Sequence, residues 1–197
     1  MKVIAVSGTP GTGKTTIAKK LAKKLNYYYV DVNNLISKYK LSEGYDKKRR
    51  TKIVDVKKLN KKLIDIIDFF KNKNYIGMRP MSSARSTTRI TKENIKKNVY
   101  IKKIKGIVID SHLSHYLPRK YVDFCIVTKC GINELNKRLK KKKFRKDKIK
   151  ENLQAEIFNV CYNEALEKKH RVFVVDTTKG FNISSIVNKL GTPVELA

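Results

Sequence analysis

The sequence predicts an α/β protein, a parallel five-stranded sheet flanked by helices, and two observations carry that prediction. Five short, nearly continuous apolar runs alternate with stretches of helical periodicity, as expected for strands buried on both faces. A glycine-rich turn, GTPGTGKTT from Gly8 to Thr16, stands directly between the first apolar run and the first helical stretch. With 197 residues and 41% hydrophobic content the chain can bury one substantial core, so residues 1–197 are read as a single domain.

In chain order, VIAVS (3–7) and YYYVDV (27–32) read as strands on either side of the helical stretch IAKKLAKKL. VKKLNKKLIDIIDFF (56–70) repeats apolar residues at three- and four-residue intervals and reads as a helix, and GIVIDS (106–111) as a buried strand. VDFCIVT (122–128) and RVFVVDT (171–177) complete the sheet. Between and after them come the helical stretches INELNKRLKKK (132–142), DKIKENLQAEIFNVCYNEALEKK (147–169), read as one helix, and NISSIVNKL (182–190). Ligands of such sheets bind at the carboxyl ends of the strands, the edge where the glycine-rich turn, Asp31 and Asp110–Ser111–His112 all emerge.

The turn meets the pattern G-x-x-x-x-G-K-[ST] through Gly8, Gly13, Lys14 and Thr15, the signature of a P-loop NTPase. Glycines are required because backbone N–H groups must turn inward around an anion. Lys14 is expected to reach the β- and γ-phosphates of ATP and Thr15 to ligate Mg²⁺, with the positive end of the following helix adding its field. GIVIDSH supplies a second part of the site. An apolar strand ending in Asp110 fits a Walker B carboxylate that holds the magnesium or its water opposite Thr15. His112 is placed either to polarise or position a water or a phosphoryl acceptor, or to cap and pack. His115 completes a His-x-x-His spacing, but no third metal ligand accompanies it.

Lysine and arginine number 46 against 17 acidic residues, a formal net charge of +29 that attracts nucleic acid or other polyanions. The same abundance of lysine, asparagine, isoleucine and tyrosine also fits an AT-rich genome or a hot or salty habitat. Cys125, Cys130 and Cys161 lack the paired spacing of zinc ribbons, and the N-terminus does not resemble a signal peptide. Apolar runs such as FCIVT (124–128) are far too short to span a bilayer. The expectation is a reducing, cytoplasmic compartment and no membrane partner.

Two segments are set apart by charge. From Asn136 to Glu151 there are ten basic residues against two acidic ones, suited to surround a transferring phosphoryl group, to contact RNA, or to form a solvated helix end. The stretch 71–105 carries eleven basic residues and one acidic one with serine and threonine at its centre, and reads either as an RNA-binding insertion or as a surface loop of no fixed structure.

Taken together, GTPGTGKTT, DVNNL with GYD (Gly44–Asp46), DSH with Pro118 six residues beyond the histidine, Arg138–Leu139 and KIKENLQAEIF (148–158) resemble the ribosome-associated adenylate kinases. These are the small nuclear and archaeal nucleoside monophosphate kinases that also act as ATPases. The resemblance covers nearly the whole chain except 71–105, and the E-N-x-x-x-E-I-F pattern at 151–158 is more specific than a P-loop. It implies an NMP-kinase-like fold with a short lid and the reaction of ATP with AMP to give two ADP, with Mg²⁺. It further implies ATPase activity in small-subunit rRNA maturation and transient binding to ribosomal protein uS11 and small-subunit rRNA. By resemblance, Gly11, Gly13, Lys14, Thr15 and Thr16 bind the ATP phosphates, Lys14, Asp110 and His112 are catalytic, and Thr15 and Asp110 hold the metal, partly through water.

The same resemblance makes 31–54 the NMP-binding segment, with Asp31, Asn34, Gly44, Tyr45 and Asp46, and 141–151 the lid, with Arg138, Lys142, Lys143 and Arg145, Lys142 also reaching ATP. The chain departs from the family at several points. Lys142, Lys143 and Phe144 stand where relatives read Arg-Gly-Tyr, replacing a bidentate phosphate ligand by a point charge. Ser37 stands where some relatives place an AMP-facing arginine, and Val56 follows Asp55 where they often carry Asp-Glu. A remodelling ATPase with little kinase activity, and another small-molecule kinase on this fold, are the alternatives. The GYD and E-N-x-x-x-E-I-F residues speak against the second.

Overall fold

The computed structural model describes residues 1–47, 51–72 and 104–191. Strands β1 (Lys2–Gly8), β2 (Tyr28–Asp31), β5 (Gly106–Asp110), β6 (Phe124–Lys129) and β7 (Val172–Asp176) form one parallel sheet in the order β2-β5-β1-β6-β7. Helices α1 (Lys14–Leu25), α2 (Val32–Lys38) and α3 (Val56–Asn72) precede β5, and α4 (Ile132–Lys141), α5 (Lys146–Ile157), α6 (Val160–Glu167) and α7 (Ile183–Gly191) follow β6. The five expected strands are all present, and the sheet is parallel throughout.

Alternation within each strand feeds two cores. On one face Val3, Ala5, Ile107, Ile109, Cys125 and Val127 pack with Leu59, Leu63 and Ile67, which recur every four residues along α3. On the other, Ile4, Val6, Val108 and Ile126 pack with Ile17 and Leu21 of α1 and Ile186 and Leu190 of α7. A third, smaller cluster joins α4 to α5 through Cys130, Leu135, Leu139 and Ile149, with Phe144 packed against it. β1 lies at the centre: the chain leaves it first towards β2 and later resumes on its other side at β6. That reversal opens a crevice at the carboxyl edge of the sheet.

Two local features differ from the sequence expectation. The stretch 147–169 is two helices, because Asn159 adopts a left-handed conformation (φ 53°). Asparagine tolerates that region better than most residues, and its side-chain oxygen takes the Lys129 ammonium. The segment 31–54 contains, after α2, an antiparallel hairpin of β3 (Ser42–Asp46) and β4 (Thr51–Val54) separate from the main sheet. The sequence reading did not divide that segment. Of the basic stretch 71–105, residues 73–103 lie outside the described residues, so the expectations attached to it remain expectations. Among the described residues no helix is long and apolar enough to cross a membrane.

Candidate nucleotide-phosphate site

The turn from Gly8 to Gly13 runs from the end of β1 into α1, and its glycines are dictated by space and by backbone conformation. Gly8 has φ 133°, and a Cβ there would fall 2.4 Å from the Thr128 carbonyl oxygen. Gly13 caps α1 with φ 93°, a value that side chains rarely permit. Threonines hold the loop's shape. The Thr12 hydroxyl donates to the Thr9 carbonyl (2.7 Å) and lies 2.6 Å from the Thr128 hydroxyl at the end of β6. The Thr177 hydroxyl, just past β7, donates to the Thr12 carbonyl at 2.7 Å. Three adjacent strand ends thus fix the loop.

Lys14 Nζ folds back to the Thr9 carbonyl at 3.0 Å. Burial lowers its pKa to about 8, against the opposing pull of Cys161 and Asp110 and with a further lowering from Lys142. Thr15 and Thr16, in the first turn of α1, are exposed. Asp110 ends β5 directly beside Val6 of β1 and beside Asp31 of β2. It is buried, and its Oδ2 accepts the Tyr29 hydroxyl at 2.7 Å. Burial and this bond both raise the pKa of the phenol, so Tyr29 stays a donor. A threonine hydroxyl in the first turn and a carboxylate across from it form the hard oxygen set that suits Mg²⁺ shared with phosphates. Among the described residues no group of three or more His, Cys, Asp or Glu gathers to hold a metal by protein ligands alone.

His112 is exposed, and desolvation and the Lys14 ammonium hold its pKa below the ordinary histidine value, with His115 and Lys148 acting in the same direction. His115 is buried, between Ser7 Oγ (2.6 Å) and Glu164 (2.9 Å). The field at Lys14 includes the charges of Asp110 and Lys142, and that at His112 includes the charges of Lys14 and Lys148.

The lid residues divide. Lys142 and Lys143 (φ 57°) form the exposed turn between α4 and α5. Arg145 precedes α5 and pairs with Asp147 at 3.4 Å. Arg138 is engaged elsewhere, donating to Glu134 (2.8 Å), to the Thr177 hydroxyl (3.0 Å) and to the Thr177 carbonyl (2.8 Å). It therefore braces the turn that holds Thr12. The signature at 151–158 is in part structural: buried Asn152 donates to the Lys148 carbonyl, and buried Glu156 accepts the Cys130 N–H at 2.8 Å, tying α5 to the end of β6. Ile157 and Phe158 are exposed.

In the 31–54 segment, Asp31 caps α2 by accepting from the N–H groups of Asn33 (2.9 Å) and Asn34 (3.3 Å). Gly44, Tyr45 and Asp46 lie on β3 of the hairpin, opposite Ile53, Lys52 and Thr51. Lys52 Nζ donates to Ser37 Oγ at 2.8 Å, placing a cation where the family resemblance leads one to expect an arginine. Tyr29, Thr128, Thr177 and Glu164 were not marked by the sequence reading. Only strand order and helix packing bring them to the site.

A family model described as an AAA domain matches residues 4–159. A curated protein of Methanocaldococcus jannaschii named "Putative adenylate kinase" is 32% identical over 187 residues, covering 95% of this chain and 82% of that one. A protein of Pyrococcus furiosus with the same name is 31% identical over 188 residues, covering 95% and 81%. Among solved structures, deoxyadenosine kinase from M. mycoides with bound dATP aligns with a TM-score of 0.50 and 18% identity over 98% of this chain and 100% of that one. Shikimate kinase from Acinetobacter baumannii in complex with shikimate aligns with a TM-score of 0.51 and 12% identity over 96% and 90%. At such identities these two likenesses speak for the fold alone.

Proposed function

Since the chain belongs to the AAA-domain family and stands among its archaeal members named for adenylate kinase, we propose that it is a nucleoside monophosphate kinase moving the γ-phosphoryl group of ATP to AMP, yielding two ADP. The observation that carries the reading is that the Gly8–Thr16 loop, Asp110 and Asp31 leave neighbouring strands at the carboxyl edge of the sheet, beside the segment that Asp31 caps. An oxygen of the AMP phosphate attacks Pγ, the bond from Pγ to the β,γ-bridging oxygen breaks, and that oxygen leaves with the electron pair on ADP. Lys14 holds the β- and γ-phosphates in line, and Lys142 and Lys148 neutralise charge spread over the equatorial oxygens. Thr15 and Asp110 would hold Mg²⁺, which supplies further charge neutralisation when bound. Lys52 beside Ser37 is the candidate cation for the acceptor phosphate.

His112, two residues past Asp110 and under the charge of Lys14, favours a second activity at the same site, hydrolysis with a water in the acceptor position. With a net charge of +29, that activity fits an ATPase acting on an RNA–protein complex, and the resemblance points to uS11 and small-subunit rRNA as partners in a cytoplasmic role.

The test measures ADP and inorganic phosphate from ATP with each nucleoside monophosphate and with no acceptor. Conversion of labelled AMP to ADP is the expected result. Phosphate release indifferent to AMP, with labelled AMP unchanged, would leave only the ATPase.

A further inference from the structure

Behind the phosphate loop runs a buried polar chain that the proposed chemistry does not use. Ser7, fully buried and immediately before Gly8, places its hydroxyl 2.6 Å from His115 Nδ1. On the other side of the ring, His115 Nε2 lies 2.9 Å from Glu164 Oε2, and the second oxygen of Glu164 accepts the Tyr116 hydroxyl at 2.7 Å. Serine, histidine and carboxylate in sequence have the outline of a hydrolytic triad, but no substrate reaches a serine with no exposed surface. The chain must act on what its ends touch.

Those ends matter. Ser7 joins the central strand to the phosphate loop, and its hydroxyl also lies 3.4 Å from the His112 carbonyl. His115 belongs to the turn that follows Asp110, which is pinned to β1 through Ser111 N–H and Ser114 Oγ, both donating to the Val6 carbonyl. Glu164 belongs to α6, next in the chain after α5 and the lid turn.

The proton positions follow from donor and acceptor chemistry. A carboxylate only accepts, so Nε2 carries the ring proton, Nδ1 is an acceptor, and the Ser7 hydroxyl donates to it. If His115 gained a second proton, Nδ1 would become a donor. Ser7 would then have to accept, and its hydrogen would turn to the His112 carbonyl.

We propose that His115, oriented by Glu164, is a positioning residue: through Ser7 it sets the backbone of the Asp110–Tyr116 turn, and with it His112, against the phosphate loop, and its neutral Nε2–H form is the competent one. This rests on the reading above only in taking His112 to face the reacting phosphate. The groups facing His115 are Ser7 from β1, Glu164 on α6 with Lys168 just beyond its end, Tyr116 from its own turn, and His170, which bonds to its carbonyl at 2.8 Å; His112 lies nearby. Desolvation is the strongest influence and keeps the ring neutral, with His170 and Lys168 in the same sense and Glu164 opposed.

The experiment compares the whole protein with Glu164→Gln and Ser7→Ala, which preserve shape, and with His115→Asn, well below each melting temperature. ATP turnover, ATP affinity and the ¹⁵N-detected tautomer of each histidine are recorded from about pH 5.5 to 8.5. The expected result is a protonated Nε2 on His115 and a kcat lowered about ten- to a hundredfold in Glu164→Gln and Ser7→Ala, with ATP affinity within about twofold. The His112 resonances should shift in Ser7→Ala, a change that removes no charge and leaves the His112 ring untouched. Turnover within about twofold of wild type in both shape-preserving variants overturns the proposal. So does a protonated Nδ1 on His115, or a parallel fall of kcat, affinity and melting temperature. None of these readings depends on whether AMP is the acceptor, so a failure here and a failure of the kinase assignment are told apart.

Discussion

Lys14 illustrates how far one side chain's chemistry depends on its setting. Its pKa of about 8, depressed chiefly by burial, means that the free protein loses the loop's cation just above neutrality, whereas bound phosphate would restore it. ATP affinity, measured by calorimetry, is therefore expected to fall as pH rises through about 8, and Lys14→Arg, which stays charged, should lack that decline. An identical decline in the arginine variant would assign it to another group. At Asp110 the Tyr29 hydroxyl holds one carboxylate oxygen, Oδ2, by a hydrogen bond. Tyr29→Phe keeps the ring and deletes the donor, so the magnesium concentration for half-maximal turnover should rise about tenfold with little change at saturating metal. Lys14 and Asp110 were legible from spacing alone. Tyr29 was not, because it meets Asp110 only once β2 pairs with β5.

Among the elements, α5 shows how a sequence signature divides between structure and surface. Glu156 is buried and accepts the Cys130 N–H, which joins the helix behind the lid to the end of β6. Glu156→Ala orphans that donor and is expected to cost about 1–3 kcal/mol in urea unfolding, with Glu156→Gln, which keeps an acceptor, costing less. Equal stability of the alanine variant would mean that the α5–β6 tie contributes nothing. The break between α5 and α6 was hidden because apolar periodicity continues through it, and it needs only one residue, Asn159, to take a left-handed conformation. The hairpin β3–β4 escaped for a related reason: Glu43, Tyr45 and Ile53 are exposed, so little hydrophobic alternation marks it.

Over the whole molecule, charge and acid response are set by sums. Burial and cationic neighbours lower the pKa of His112, His115 and His170. A histidine held neutral by the fold contributes stability above its unfolded pKa of about 6.5 and loses it as pH falls from there towards the folded value. Denaturant titrations should therefore show lower stability at about pH 5 than at about pH 7.5, and replacing His115 by asparagine should flatten that slope. A slope unchanged by the substitution would place the acid sensitivity elsewhere. The excess of basic residues makes a second, separable prediction. Binding of a small-subunit rRNA fragment should weaken with salt at about −0.7 to −0.9 in log–log slope per phosphate neutralised, and removal of residues 73–103 should reduce that slope while AMP phosphorylation persists. Loss of phosphorylation with an unchanged slope would instead assign the segment to catalysis or to the core.

By itself the sequence determined the parallel sheet, the glycine-rich loop between β1 and α1, and an aspartate at the end of β5, because each depends on neighbours in the chain: apolar runs of strand length, glycines at fixed intervals, a lysine and threonine opening a helix. Tertiary structure decided which loop residues are braced and by what, since Thr128 and Thr177 reach Thr12, and Arg138 reaches Thr177, only through the order β1-β6-β7 and the packing of α4. It also decided that Arg138 supports the loop, that Lys52 and not residue 37 brings the cation beside α2, and that Ser7, His115 and Glu164 form one chain. Hydrogen bonds between residues 108 and 49 positions apart depend on distances that composition and periodicity do not contain. They exist only when a sheet and the helices over it close around the same point.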